Sequence, residues 1–357
     1  MYVVRHNWPL VHRGALAFAG VSVLFVLSVA CTPFGQSTPE DERWTAAYSE
    51  ATSLPPDDAL RRLEQLAEHA PDQEKARAAE LDRAKMLVET GDIDAAETAF
   101  QALRDERDDD NIASRALYEL GRIAVEHHDD LAEGRRLLTN AIVDTPPWAG
   151  SEMALQFLIR TEHRAGRTEA LVDELDAMAT DTDDDRMAAQ IHLERGLIFD
   201  EHLGDPDAAL DAFRAAFDRC DDCASTDEAL YQMANIYLDH QQYEPAIEAL
   251  EIIADRTQDA WFIGTYHSLR ASDARYLLGR IEMLHRQNYD AATDHFERFL
   301  DDFEHNLDTD RVAWHLVTIE RLTGTERSYR RALEQFLDDH PESRYADDAE
   351  QRLREDS

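Results

Sequence analysis

Two short stretches of this 357-residue chain hold side chains whose types and spacing could do chemistry. The first is Cys220-Asp221-Asp222-Cys223. Two thiols this close can form a local disulfide, remain free or clamp a metal. A thioredoxin-like redox role wants a strand-helix-strand setting, which the helical patterning around the motif lacks. Zinc would want two further ligands, and none stands at a fixed spacing. In an oxidising compartment the disulfide is the expected state, contributing on the order of 1–2 kcal/mol because its loop is so short. The second stretch, His127-His128-Asp129-Asp130, has metal-ligand types but nothing that fixes a third or fourth donor. There is no phosphate-cradling glycine loop, no His-Glu-x-x-His and no nucleophile elbow. The chain is therefore expected not to be an enzyme and to need no cofactor or metal.

The elements that would position such groups are helices. In Asp227–Ile253, Leu230, Met233, Ala234 and Tyr237 recur at helical spacing. The polar turn His240-Gln241-Gln242 interrupts them, and Tyr243, Ala246, Leu250 and Ile253 start a second stripe. So short a turn makes the two helices antiparallel, with Ala234 and Ala246 where the backbones approach most closely. One hairpin cannot bury both its faces, so it needs neighbours. The small position of the second helix recurs at Ala59, Ala96, Gly134, Leu171, Ala209, Ala246, Ala292 and Tyr329, in steps of 37 or 38 residues with a longer one before Ala292. Four residues after each stand Leu63, Phe100, Leu138, Leu175, Phe213, Leu250, Phe296 and Leu333; seven after stand Leu66, Leu103, Ala141, Met178, Ala216, Ile253, Phe299 and Phe336. Every one is apolar. Helices that were merely amphipathic would not keep that register.

This spacing resembles the tetratricopeptide repeat. Leu117, Tyr118, Leu120 and Gly121, then Tyr276, Leu278 and Gly279, match its first helix; Leu193, Gly196 and Phe199 match with one extra residue before the turn. The resemblance covers roughly residues 43–357. It implies an all-α, right-handed superhelical solenoid of about eight hairpins with a capping helix over Glu342–Arg354. Trp44 and Tyr329 mark the atypical end units. It also implies that the residue after the first-helix small position faces a concave groove. Here those residues are Lys85, Arg122, Arg160, Asn235 and Arg280. Four of the five are cationic in a chain where acids outnumber bases two to one. Such a ladder could take the carboxylates of a peptide; the alternative is that each cation pairs with an acid on the next helix.

The first thirty residues read as an address. Arg5 and Arg13 precede an uncharged apolar run, Ala15–Ala30, that ends Leu27-Ser28-Val29-Ala30-Cys31. That ending resembles a bacterial lipobox, which implies cleavage before Cys31 and lipidation of Cys31. Thr32 in place of aspartate then implies the outer membrane, facing the periplasm. Residues 31–42 read as a flexible tether. Seventy-five acidic and 36 basic residues give a charge of −39, and lysine occurs only at Lys75 and Lys85. Nucleic-acid phosphates would be repelled, so partners are expected among proteins or peptides of the cell envelope, with the membrane reached only through lipid. The segment from Phe336 to Ala349 resembles the repeat junction of two envelope families, the BamD-type assembly lipoproteins and the TolA-binding coordinators, though it occurs once here. The longer step hides an insertion, 256–270, carrying Trp261, Phe262 and Tyr266. It is expected to fold back as an extra turn over an apolar end; alternatively it grips a small ligand or glycan.

Overall fold

The computed structural model describes residues 38–106, 110–145, 149–260 and 264–355. Residues 1–37, with the leader and Cys31, lie outside them, as do Trp261 and Phe262. Among the described residues no helix is long and apolar enough to cross a membrane.

Among the described residues the chain is an α solenoid of eight helical hairpins closed by one more helix. The hairpins pair α1 (Pro39–Ala51) with α2 (Pro56–Glu68), α3 (Gln73–Thr90) with α4 (Ile93–Glu106), α5 (Asn111–Glu126) with α6 (Leu131–Val143) and α7 (Ala149–Arg164) with α8 (Thr168–Asp181). They continue with α9 (Asp185–Ile198) and α10 (Pro206–Arg219), α11 (Ala224–Asp239) and α12 (Tyr243–Ala254), α13 (Ala271–Ile281) and α14 (Tyr289–Asp302), and α15 (Thr309–Thr323) and α16 (Glu326–Asp339). The closing helix is α17 (Ala346–Glu355). It buries Ala349 and opens one residue after Tyr345, whose ring stacks on Trp314 at 5.3 Å.

The apolar register explains the packing. All eight residues four positions after the second-helix ruler, from Leu63 to Leu333, are 0% exposed. These large side chains fill the space left by the small first-helix residue of the same hairpin. A Cβ on Gly196 would stand 2.4 Å from the Phe213 ring, and one on Gly279 2.5 Å from the Phe296 ring. The extra first-helix residue is absorbed by a π turn: Phe199–Leu203 continues α9 and Glu282–Arg286 continues α13.

Aspartates in the junctions are helix caps. Asp72, Asp110, Asp130, Asp184 and Asp205 each accept a backbone N–H of the helix that follows, at 2.8 to 3.1 Å. Part of the acidic surplus therefore stands at helix N-termini, where the macrodipole favours it.

The insertion is the one departure from helix among the described residues. Thr257–Ala260 (β1) pairs antiparallel with Gly264–His267 (β2), Gln258 opposite Tyr266. The segment expected to fold back as an extra turn thus contains two short strands, and the sequence between α12 and α13 explains them. Thr257, Thr265 and Tyr266 are residues that suit a pleated surface. A two-stranded ribbon is marginal alone, so its ends are tied down. Arg256 donates to the Asp227 carboxylate and the Asp221 carbonyl oxygen. Arg270 donates to Glu228 at 2.6 Å and lies over the Tyr231 ring at 4.5 Å. Both feet of the hairpin thus stand on consecutive residues of α11.

Candidate functional site

The first helices of successive hairpins touch one another through a row of polar and aromatic side chains. The Tyr48 hydroxyl donates to Asp82 across α1 and α3. Tyr118 meets Phe157 edge-on at 6.0 Å across α5 and α7, and Gln156 donates to Glu194 at 2.6 Å across α7 and α9. Arg311 lies over the Tyr276 ring at 4.2 Å across α13 and α15.

The five residues expected to face a groove stand on these first helices. Lys85, Arg122 and Arg280 follow the small residues Ala84, Gly121 and Gly279, Arg160 follows Ile159, and the partner position is three residues back on the same helix. Lys85 bridges to Asp82 at 2.8 Å, and Arg122 to Glu119 at 2.7 Å and Glu126 at 2.9 Å. The acids come from the cation's own helix, not from the next one, because spacings of three and four place side chains side by side. In α7 the partner position is Phe157, and the exposed Arg160 lies over its ring at 5.7 Å. In α13 it is Leu277, and Arg280 lies over Tyr276 at 5.4 Å. In α11 both positions are amides, Gln232 and Asn235.

Unit five inverts the rule. Glu194 holds the acid position of α9, but Leu197 stands where the cation would be. Burial pushes the Glu194 carboxyl up to about 7, against the hydrogen bonds donated by Gln190 and Gln156 and with repulsion from Glu201 and Glu228 added. The five-residue set omits Glu194, yet the register would have found it: it is the acid whose third-next neighbour is leucine.

The sign of the pH effect is fixed. Glu194 binds its proton more tightly folded than unfolded, so stability falls as pH rises from about 4.5 to about 7 and is flat above. Glu194→Gln is expected to melt higher than the parent at pH 8 and at nearly the same temperature at pH 5. A difference equal at both pH values would exclude the assignment.

At the far end of the row, His315 stacks on Phe296 at 5.1 Å and faces Tyr276, Arg280 and Arg311. Burial first, then the two guanidinium groups, hold its pKa down to about 4. The imidazole there is neutral under ordinary conditions.

The other chemistry-bearing stretches are placed as follows. His128 Nε2 meets Glu97 Oε1 at 2.8 Å, beside a cleft of about 190 Å³ that Leu120 and Leu137 also line. Cys220 and Cys223 are joined as a disulfide with Cα atoms 5.6 Å apart. Their sulfurs and an Asp222 oxygen lie within 4.8 Å of one another, but sulfurs bonded to each other are not thiolate ligands. Tyr266 is placed by its backbone in β2.

The tetratricopeptide repeat family profile matches residues 46–112, 81–147 and 231–306. No curated protein sequence matches the chain significantly. Among solved structures, a human IFIT1 dimer with PPP-AAAA is similar over 88% of this chain and 71% of that one, at 12% identity and a TM-score of 0.42. The P58(IPK) TPR domain aligns over 85% of this chain and 84% of that one, at 17% identity and a TM-score of 0.27. A tetratricopeptide repeat protein from Parabacteroides merdae aligns over 78% and 98%, at 12% identity and a TM-score of 0.32.

Proposed function

Because the chain is a tetratricopeptide-repeat protein, we propose that it is a non-enzymatic scaffold that holds protein or peptide partners along the row of its first helices. The observation that carries this reading is the exposed Arg160, which lies over the Phe157 ring at 5.7 Å with that ring, and no acid, at the position three residues back. A guanidinium on an aromatic ring keeps donors for a planar carboxylate. Further along the row stand Glu194 on α9, Asn235 on α11 and Arg280 on α13. The resemblance of the ending at Cys31 to a lipobox supports a lipid tether, and Thr32 in place of aspartate supports the outer membrane, facing the periplasm. Outer-membrane assembly or a division complex is the specific setting in keeping with the resemblances of the junction after Phe336.

The test is a single reversal, Arg160→Glu. Photo-crosslinking in intact cells from a position beside Phe157 should capture defined partners with the parent chain and lose them with the variant. Stability should fall only by the loss of one ring contact, worth about 0.5–1 kcal/mol. Undiminished crosslinks would exclude the groove. Lipid labelling of the full chain, abolished by Cys31→Ser, tests the anchor separately.

A further inference from the structure

We propose that the Cys220–Cys223 disulfide is a thiol–disulfide exchange site, opened by an uncharged or cationic dithiol that attacks the Cys220 sulfur and expels the Cys223 sulfur. The two ends of the bond differ in access and in electrostatics. Cys220 caps the C-terminal end of α10 and is half-buried, whereas Cys223 is 9% exposed. Cys223 is also the N-cap of α11, a helix of 16 residues, and its side chain makes no capping hydrogen bond. A thiolate released there faces the positive end of the helix, which lowers its pKa and makes it the better leaving group. Cys220 has the opposite setting, its sulfur 3.5 Å from an Asp222 carboxylate oxygen. Asp221 and Asp222 are both exposed beside it, so an anionic reductant is disfavoured.

The exchange balances in two steps. The reductant gives a proton to solvent; its thiolate bonds to Cys220 Sγ as the Sγ–Sγ bond breaks and the electron pair leaves on Cys223. The second thiolate of the reductant then displaces Cys220 from the mixed disulfide. The reductant ends as a disulfide, oxidised by two electrons, and the two cysteines take up the protons it released.

The opened loop is coupled to the hairpin. The Asp221 carbonyl oxygen, inside the ring that the disulfide closes, accepts from Arg256, the foot of β1. The Cys220 carbonyl oxygen accepts from Thr226 on α11. Reduction frees the loop that carries both acceptors.

The experiment uses the oxidised full chain without denaturant. Dithiothreitol should expose both thiols to a maleimide within minutes. Cysteamine, quenched with iodoacetamide, should leave its mixed disulfide on Cys220 and the alkyl group on Cys223, with peptide mapping keeping Cys31 apart. On reduction, hydrogen exchange should accelerate across residues 256–260 and 264–267 and stay unchanged in α15. In Cys220→Ser, alkylation of Cys223 should show a pH midpoint about one unit below that of an ordinary thiol near 8.5. A bond that resists dithiothreitol until the chain is denatured, a mixed disulfide on Cys223, or an ordinary Cys223 midpoint would each overturn the proposal. Unchanged exchange at the hairpin would overturn the coupling.

Discussion

Gly150→Ala is expected to destabilise the chain by about 3 kcal/mol, the upper end of what overpacking costs. A Cβ on Gly150 would stand 2.1 Å from Ser114 Oγ, 2.4 Å from Ser114 C and 2.5 Å from Arg115 N. Two of those atoms are backbone, so α7 can accept a methyl group only by moving away from α5. Movement would also open the hydroxyl cluster in which Ser151 lies 3.0 Å from Thr145 and 3.5 Å from Ser114, all three side chains buried. Gly196 is a useful contrast. There the atoms in the way belong to the Phe213 ring, which can tilt. Denaturant titration followed by circular dichroism decides the matter, and a change of less than about 0.5 kcal/mol, the level of ordinary surface substitutions, would show that the two helices are not in backbone contact.

Phe296→Ala is expected to cost about 3–5 kcal/mol, the range for emptying a buried aromatic site. The loss should be local. Phe296 belongs to a small core with Met283, Ala292, Phe299, Val312 and Ile319, separate from the larger core that runs from Leu81 to Ile198. In an array whose units contact only their neighbours, such a core fails before the rest. The melt should therefore split in two, with amide protection lost in α13–α17 and kept in α3–α8. The same change removes the ring that shields His315. In the parent chain His315 favours the folded state above about pH 6.5, and that contribution fades as pH falls towards about 4. In the variant this acid-side loss should shrink. A single cooperative melt would argue that the units are coupled end to end.

How much of this could be read from residue order varies by feature. The second-helix register was fully readable, since each position is filled by a side chain whose size and polarity the core dictates. The eight hairpins followed from it. Polar contacts were less accessible, because periodicity says which face a residue is on but not which neighbour its charge will reach. The pairing alternative places the acids for Lys85 and Arg122 on the next helix, yet a partner three positions away on the same helix is closer and costs less side-chain ordering. Glu194 was overlooked because its distinction is an absence, a leucine where a cation was due. The hairpin was missed for another reason. Its strands are four residues each, too short for a two-residue period to stand out against the helices on either side.

The capping aspartates separate two things that sequences usually confound, charge and architecture. Asparagine caps a helix about as well as aspartate does, and Asn288 performs that office for α14, with the Ala291 N–H at 3.5 Å. Asp110 also grips the buried Arg77, so there the charge is structural. At Asp130, Asp184 and Asp205 the contacts described are those to the capped backbone. Amides at those three places would keep the caps and forgo only the macrodipole's preference for a negative charge, about 0.3–1 kcal/mol each. The acidity there acts chiefly on the surrounding solution, on how the chain repels its own copies and holds water and counter-ions.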